Sequence, residues 1–560
     1  MRKLFKSLVS LCLVAVVGFT SACAQLPKSG EIKTGPNVEA GLETDYLYYS
    51  PSGPFDEATQ EEILLGFMNA GTGPQNDYQV AREYLVESFN TQWRPNQEVL
   101  VQDGRPTITI TANDSATVIV PISATINERG QYQAVPTGTT RTIEIGFEKQ
   151  GSNWRINRAP NLTMVIRPVF DVVFKAYAIY FFDKQLKHLV PDVRWFPSRA
   201  STSTRLVNAL IGGPSDWLQP AVSTAIPAGT RLTLSSVTVA NGVASVDLSA
   251  RALRATELEK KLMQVQIRET LLQLNSVYSV AVTIERGTLA SPSWGYASAQ
   301  LQTTTPVALV ADGLVHLGSS QAEEINNAGA LIAKVSATSF GLNADEKIIA
   351  LSGPGGVYRA RLDQPAESPE LLVSGTGYLA PIVDVDGYIW IAPVSGKRPV
   401  IVFDPDGNRV GFLSSWLTGA DRMSFSISAE GSRLLLVSGT RALSEVRVAA
   451  IIRDVAGNPI GVGAPTYPIS TSTTYTATWL DNIRIGLLES QASNYVQPLV
   501  AMVGGDSRSL PTFTSGSQII GSGQASTVFV LDSLGAMFQF RGSSWVKVRE
   551  GVIALRNPGN

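Results

Sequence analysis

The hydrophobic pattern changes period along the chain. Residues 8–19 form an apolar run of about twelve, broken only by Ser10 and Gly18 and preceded by Arg2, Lys3 and Lys6. That length fits a signal h-region and is too short for a membrane-spanning helix, which needs about twenty apolar residues. Between 24 and 42 come Pro27, Gly30, Gly35, Pro36 and Gly41 without apolar periodicity, as expected of a tether. Helical spacing then predicts a helix over 55–68, with acids in its first turn, and a second amphipathic helix over 78–89. Segments 106–113, 116–126, 142–150 and 153–161 alternate and are rich in β-branched residues, the signature of strands. From 172 to 197 two apolar, aromatic segments read as a hairpin. A helix near 203–211 is stopped by Gly212, Gly213 and Pro214, and a long helix over 257–274 leads into a strand over 277–287.

From 305 to 556 the pattern is almost wholly β, and it repeats. An apolar strand, an acidic or glycine-bearing turn and a second apolar strand recur from Ser339, Leu379, Ser424, Thr476 and Thr527, with a weaker copy near Val307. Starts about 40 to 52 residues apart suit one four-stranded blade of a β-propeller per repeat, with five or six blades. A single twisted sheet cannot bury both faces, so blades stack around an axis. Asp384, Asp386, Asp404, Asp406, Asp481 and Asp532 fall at the hairpin tips, where Asp serves the backbone of a turn.

Composition narrows the chemistry. The chain has 560 residues, 45 Lys+Arg against 47 Asp+Glu, 44% hydrophobic residues and 16% charged ones. This suits several packed cores and does not suit a basic nucleic-acid binder. Its two cysteines, Cys12 and Cys23, both lie in the first 23 residues, and its two histidines, His188 and His316, are far apart. A disulfide framework, a Cys- or His-ligated metal site and a thiol nucleophile are therefore not expected in the folded body. His188 reads as a partly exposed hairpin residue, Trp93 and Trp154 as core. Trp390, Trp416, Trp479 and Trp545 read equally as blade core or ligand platforms. No phosphate loop or nucleophile elbow is present; the glycine-rich stretch at Ser352 reads as a hairpin loop. Asp404, Asp406 and Asn408 lack the remaining ligands of a calcium loop. No catalytic, cofactor or metal residues are assigned, and no enzymatic activity is expected. The alternative is a glycan-binding protein or glycoside hydrolase using paired propeller carboxylates. A clustered pair of buried acids in the propeller's central funnel would favour it; a funnel lined by unpaired Ser, Thr and apolar groups would favour a binding and regulatory protein that acts through protein-recognition surfaces.

Several resemblances add to this reading. Thr20, Ser21 and Ala22 leading into Cys23 resemble a bacterial lipobox, although Thr20 stands where leucine is usual. The resemblance implies a signal peptide over 1–22 and a mature N-terminus at Cys23 carrying S-diacylglycerol and N-palmitoyl groups, enough chains for firm anchoring. Two helices followed by a sheet over 43–168 resemble an NTF2-like α+β domain. The Leu210–Pro214 helix end, the turn at Ile226 to Thr230, the Asn241-Gly242 hairpin turn and the strand at Val246 to Ser249 resemble a GerMN α/β sandwich, over 169–300. With the propeller over 305–556, this order resembles the LpqB lipoprotein family of actinobacteria across essentially the whole chain. The resemblance implies a lipid-anchored protein on the extracytoplasmic face of the cell membrane. It further implies an accessory role toward the extracytoplasmic domain of a sensor histidine kinase of the MtrB/MtrA two-component type, in envelope homeostasis and division. No nucleic-acid partner is expected.

Overall fold

A computed structural model describes residues 51–559 apart from 113, 200, 290–304, 318–322, 365–367, 413–415, 470–471 and 522–526. Cys23 and the segment around it lie outside the described residues. No helix among the described residues is long and apolar enough to cross a membrane.

The N-terminal region packs helix Gln60–Ala70 on a seven-stranded sheet. The sheet order is Asn153–Arg158, Thr140–Gln150, Ser115–Asn127, Glu98–Gln102, Thr163–Ile166, with two further strands on Ser115–Asn127. The first helix starts later than the apolar spacing suggested. Glu57 sits at φ 58°, outside helical space, and Thr59 closes a capping box with Glu62. The expected second helix is two short turns, Gln79–Arg82 and Glu87–Asn90. Between them the sheet takes the backbone: Ile156 N donates to Tyr84 O at 2.8 Å, and Val86 N donates to Ile156 O at 2.9 Å. A pairing from across the chain overrides the local helical period. Trp93 is buried and donates its Nε1 to Pro160 O; Trp154 is only partly buried, with Lys149 over its ring.

The middle region is a two-sheet sandwich. Hairpin Phe174–Asp183 and Leu189–Pro197 forms one sheet with Val222–Ser223. The other has the order Thr238–Ala240, Val243–Leu248, Ser279–Ile284, Gly287–Thr288. Its parallel central pair is joined by helix Glu257–Leu271, which ends three residues earlier than its spacing suggested. Asn241 and Gly242 lie at φ 51° and 75°, the doubly left-handed turn that Asn-Gly favours. Fully buried Gln266 ties this helix across the core, donating to Tyr180 O and accepting from Ala225 N.

The C-terminal region is a six-bladed propeller, each blade an antiparallel four-stranded sheet with the fifth carrying an extra strand. Innermost strands are Ser339–Leu342, Ile382–Val383, Arg422–Ile427, Thr474–Trp479, Gly516–Ile520 and, for the first blade, Val552–Arg556. The last pairs with Val307–Val310, so the chain's end closes the ring. Four of the sequence repeats are the first and second strands of a blade. The copies at Val307 and Thr527 are instead second and third strands, because their innermost strands are supplied from outside the repeat. The stretch at Ser352 is a hairpin between Ile348–Gly353 and Gly356–Arg361.

These regions share cores. Val99, Val165, Phe170, Phe174 and Trp195 form one cluster, against which Ile483 and Met502 of the propeller pack. Trp195 Nε1 donates to Gly504 O at 3.0 Å, and Arg167 pairs with Asp506 at 2.5 Å.

Candidate functional site

Paired carboxylates at the hairpin tips are what the enzymatic alternative requires. Each of four is held by its own turn. Asp404 Oδ1 accepts from Asp406 N and Asn408 N, Asp481 Oδ1 from Ile483 N and Arg484 N, and Asp532 Oδ1 from Leu534 N and Ala536 N. Asp384, wholly buried, accepts from Asp386 N, Tyr388 N and Trp390 Nε1 and pairs with Arg453 at 2.7 Å. Asp386 takes Lys187 of the sandwich hairpin at 3.1 Å. These carboxylates stabilise turns and blade contacts. Among the described residues no three His, Cys, Asp or Glu side chains group as metal ligands. His188 is half-buried in its hairpin, its backbone N–H on Asp183; His316 faces Glu346 at 3.3 Å.

The tryptophans are accounted for by packing. Trp390 and Trp479 are fully buried in blade cores. Trp416 Nε1 donates to Gly463 O, and Trp545 Nε1 donates to Pro511 O.

A cavity of about 420 Å³ lies among the innermost strands. Its walls come from 379–382, 423–426, 475–478 and 515–520, with Arg441, Asn494, Val496, Ser533 and Arg556. Its polar lining residues are Ser424, Ser426, Thr476, Thr478, Ser515, Ser517, Ser533 and Tyr475 with hydroxyls, Asn494 and Gln518 with amides, and Arg441 and Arg556; no lining residue is acidic. Some are committed to the fold. Ser424 Oγ donates to Ala477 O and accepts from Ala477 N, stitching two inner strands together. Tyr475 OH donates to Gly516 O at 2.5 Å, and Gln518 Oε1 accepts from Leu555 N at 2.8 Å. Burial pushes the Tyr475 phenol up to about 12, against the opposing pull of Arg441, whose guanidinium lies 4.1 Å from the ring centroid. Ser426 Oγ and Arg556 Nε are buried without a hydrogen-bond partner among the described residues.

The two arginines mark opposite ends. Arg441 stacks on Tyr475, near the start of inner strand Thr474–Trp479. Arg556 is the last residue of its own inner strand. The next residue, Asn557, donates to Trp479 O and Gly521 O, which places Arg556 at the level where Thr474–Trp479 ends. Asn557 and Gly559, both buried, cross the ends of the inner strands, the latter through Gly559 N to Leu342 O, and form a floor.

The sequence pattern did not single out Arg441 or Arg556. The only local signal for Arg556 was a charge ending the apolar strand Val552–Arg556.

A helix-on-sheet domain, a two-sheet α/β sandwich and a closed propeller with a cavity among its inner strands define a modular α+β and β-propeller protein. Three family descriptions match in the same order: "Lipoprotein LpqB, N-terminal domain" over 53–171, "Sporulation and spore germination" over 178–289, and "Lipoprotein LpqB beta-propeller domain" over 312–558. Lipoprotein LpqB of Bifidobacterium longum is 26% identical over 78% of this chain and 77% of its own length. That of Cutibacterium acnes is 26% identical over 77% of each. Among solved structures, the first GerMN domain of the sporulation protein GerM from Bacillus subtilis is 22% identical, covering 22% of this chain and 97% of that one at a TM-score of 0.19. The chain belongs to the LpqB lipoprotein family, and a lipoprotein family implies attachment to a membrane.

Proposed function

We propose that this protein is anchored through a lipidated Cys23 to the extracytoplasmic face of the cell membrane and acts by binding rather than by turnover. In this reading it is an accessory regulator of a two-component sensor kinase of the MtrB/MtrA type, in envelope homeostasis and division. The observation that carries the binding reading is the propeller cavity. It offers hydroxyls, amides, apolar walls and two guanidinium groups, while the acids that hydrolysis would need are engaged in hairpin turns. The kinase partner rests on family membership.

The test is affinity capture from detergent-solubilised membranes with the full lipidated chain as bait and Cys23→Ala as control. The kinase is expected with the wild type and depleted at least several-fold with the variant, which should also leave the membrane fraction. Absence of the kinase from both captures would remove the regulatory role. A Cys23→Ala protein that stays membrane-bound after signal cleavage would remove the anchor.

A further inference from the structure

We infer that the propeller cavity is a receptor for a small oxyanion, a carboxylate or phosphate group carried by a small molecule, which docks on Arg556 at the cavity floor. The inference rests on the binding reading above and gives its ligand a chemistry.

A guanidinium presents five N–H donors in a planar fork, and a desolvated one needs acceptors around it. This protein provides them elsewhere. Arg433 holds Glu430 at 2.7 and 3.0 Å. Arg422, on the inner strand of the fourth blade, is enclosed by the carbonyls of Pro393, Ser395, Arg398 and Leu417 at 2.6–2.9 Å. Its Nε is unpartnered, so an idle Nε alone is not unusual here. Arg556 differs in the whole of its fork. It donates to one carbonyl, that of the preceding Leu555, and no carboxylate pairs with it among the described residues. Burial alone draws its guanidinium down to about 10, with no neighbouring charge acting on it.

The space beside this fork is the cavity itself, and the buried hydroxyl of Ser426, also unpartnered, lines the same space. A guanidinium fork and a hydroxyl suit a carboxylate or phosphate, which accepts two parallel N–H bonds from arginine. Arg441 at the other end adds a second positive charge, and no acid in the lining offsets either. A low-dielectric funnel of one sign concentrates the opposite ion. The volume, about 420 Å³, falls in the usual range for small-molecule sites and exceeds what a bare inorganic ion fills. The oxyanion is therefore the head of a larger ligand whose body meets the Leu379, Ile382 and Ile519 part of the wall.

The experiment is calorimetric titration of the full-length protein, in non-ionic detergent and chloride-poor buffer, with inorganic phosphate and with acetate; ethanol is the neutral control. One equivalent of at least one anion is expected to bind, and which binds more tightly identifies the head group. Arg556→Gln should weaken that binding at least tenfold, and Arg556→Lys should retain more of it than Gln. In anion-free buffer Arg556→Gln should melt no lower than the wild type, because it removes a half-buried charge that pairs with no carboxylate among the described residues. A measurement on the wild type alone guards against a variant that fails to fold. Phenylglyoxal modification of Arg556, followed by peptide mass spectrometry, should slow at least threefold under saturating anion. Unchanged affinity in Arg556→Gln, no binding by either anion, or an Arg556 modification rate indifferent to anion would each overturn the inference. Loss of anion binding with the kinase still captured would overturn the ligand chemistry alone. Anion binding without kinase capture would overturn the regulatory reading and leave the receptor site standing.

Discussion

A buried arginine and a half-buried one show how differently this fold treats the same side chain. Arg194 lies in the sandwich hairpin, 1% exposed, with Nη1 on Asp192 at 2.8 Å and on Ser215 Oγ at 2.5 Å. Asp192 in turn accepts from Ser215 N at 2.6 Å and from Ser215 Oγ at 2.7 Å. Burial lowers the Arg194 guanidinium while Asp192 pulls it back up. Arg129 of the N-terminal region binds the adjoining carbonyls of Gly212, Gly213 and Pro214, so the cluster also joins two regions of the chain. Arg556 has neither the carboxylate nor the surrounding carbonyls, and it has an enclosed space beside it. A buried charge whose partners are all internal is part of the scaffold. One that keeps a single carbonyl beside a cavity is what the receptor proposal rests on.

The contrast breaks most severely at the saturated end. Asp192→Ala strands Arg194 in the core and should destabilise the protein by about 3–5 kcal/mol, read by urea unfolding. A loss below about 1 kcal/mol would show that water or another group replaces the carboxylate. Ser215→Ala removes a hydroxyl used by both partners and should cost about 1–3 kcal/mol in the same assay. Ser426→Ala, at the other pole, removes an equally buried hydroxyl with no partner. It should stay within about 0.5 kcal/mol of wild type while weakening anion binding. A large stability loss there would mean that Ser426 belongs to the fold and not to the site.

The smallest effect concerns Glu489, on the second strand of the fifth blade. Burial raises its carboxyl above the ordinary value, opposed by a hydrogen bond from Thr474. A raised folded value favours the protonated folded form, so this group's contribution to stability falls as pH rises from the unfolded carboxyl range through the folded one. Glu489→Gln should therefore melt slightly higher than wild type at pH 7, with the difference vanishing near pH 3. A variant less stable at pH 7 would show that the ionised carboxylate has a favourable partner.

Much of the fold was legible in the sequence wherever the cause is local. Thr256 with Glu259 marks the start of helix Glu257–Leu271, Asn241-Gly242 fixes a hairpin turn, and Asp384, Asp404, Asp481 and Asp532 satisfy N–H groups two to four residues ahead. The expectation for 78–89 failed because Ile156, some seventy residues away, takes the backbone at Tyr84 and Val86. A period of 3.6 read along the chain carries no information about that pairing. The last repeat was read in the same register as its neighbours for a related reason. Its innermost strand, Gly516–Ile520, lies before the apolar pair and does not share its pattern.

The sequence by itself determined the order of modules, the helices and hairpins set by caps and turn residues, and the assignment of the propeller acids to turns, because each depends on residues within a few positions of one another. Only the tertiary structure decided that the strand Val552–Arg556 returns to pair with Val307–Val310 and becomes the inner strand of the first blade. Ring closure across more than two hundred residues depends on how the stacked blades curve, which no local pattern encodes. That closure carries Arg556 from an unremarked strand end to the wall of the cavity, where its guanidinium keeps one carbonyl and, among the described residues, no carboxylate.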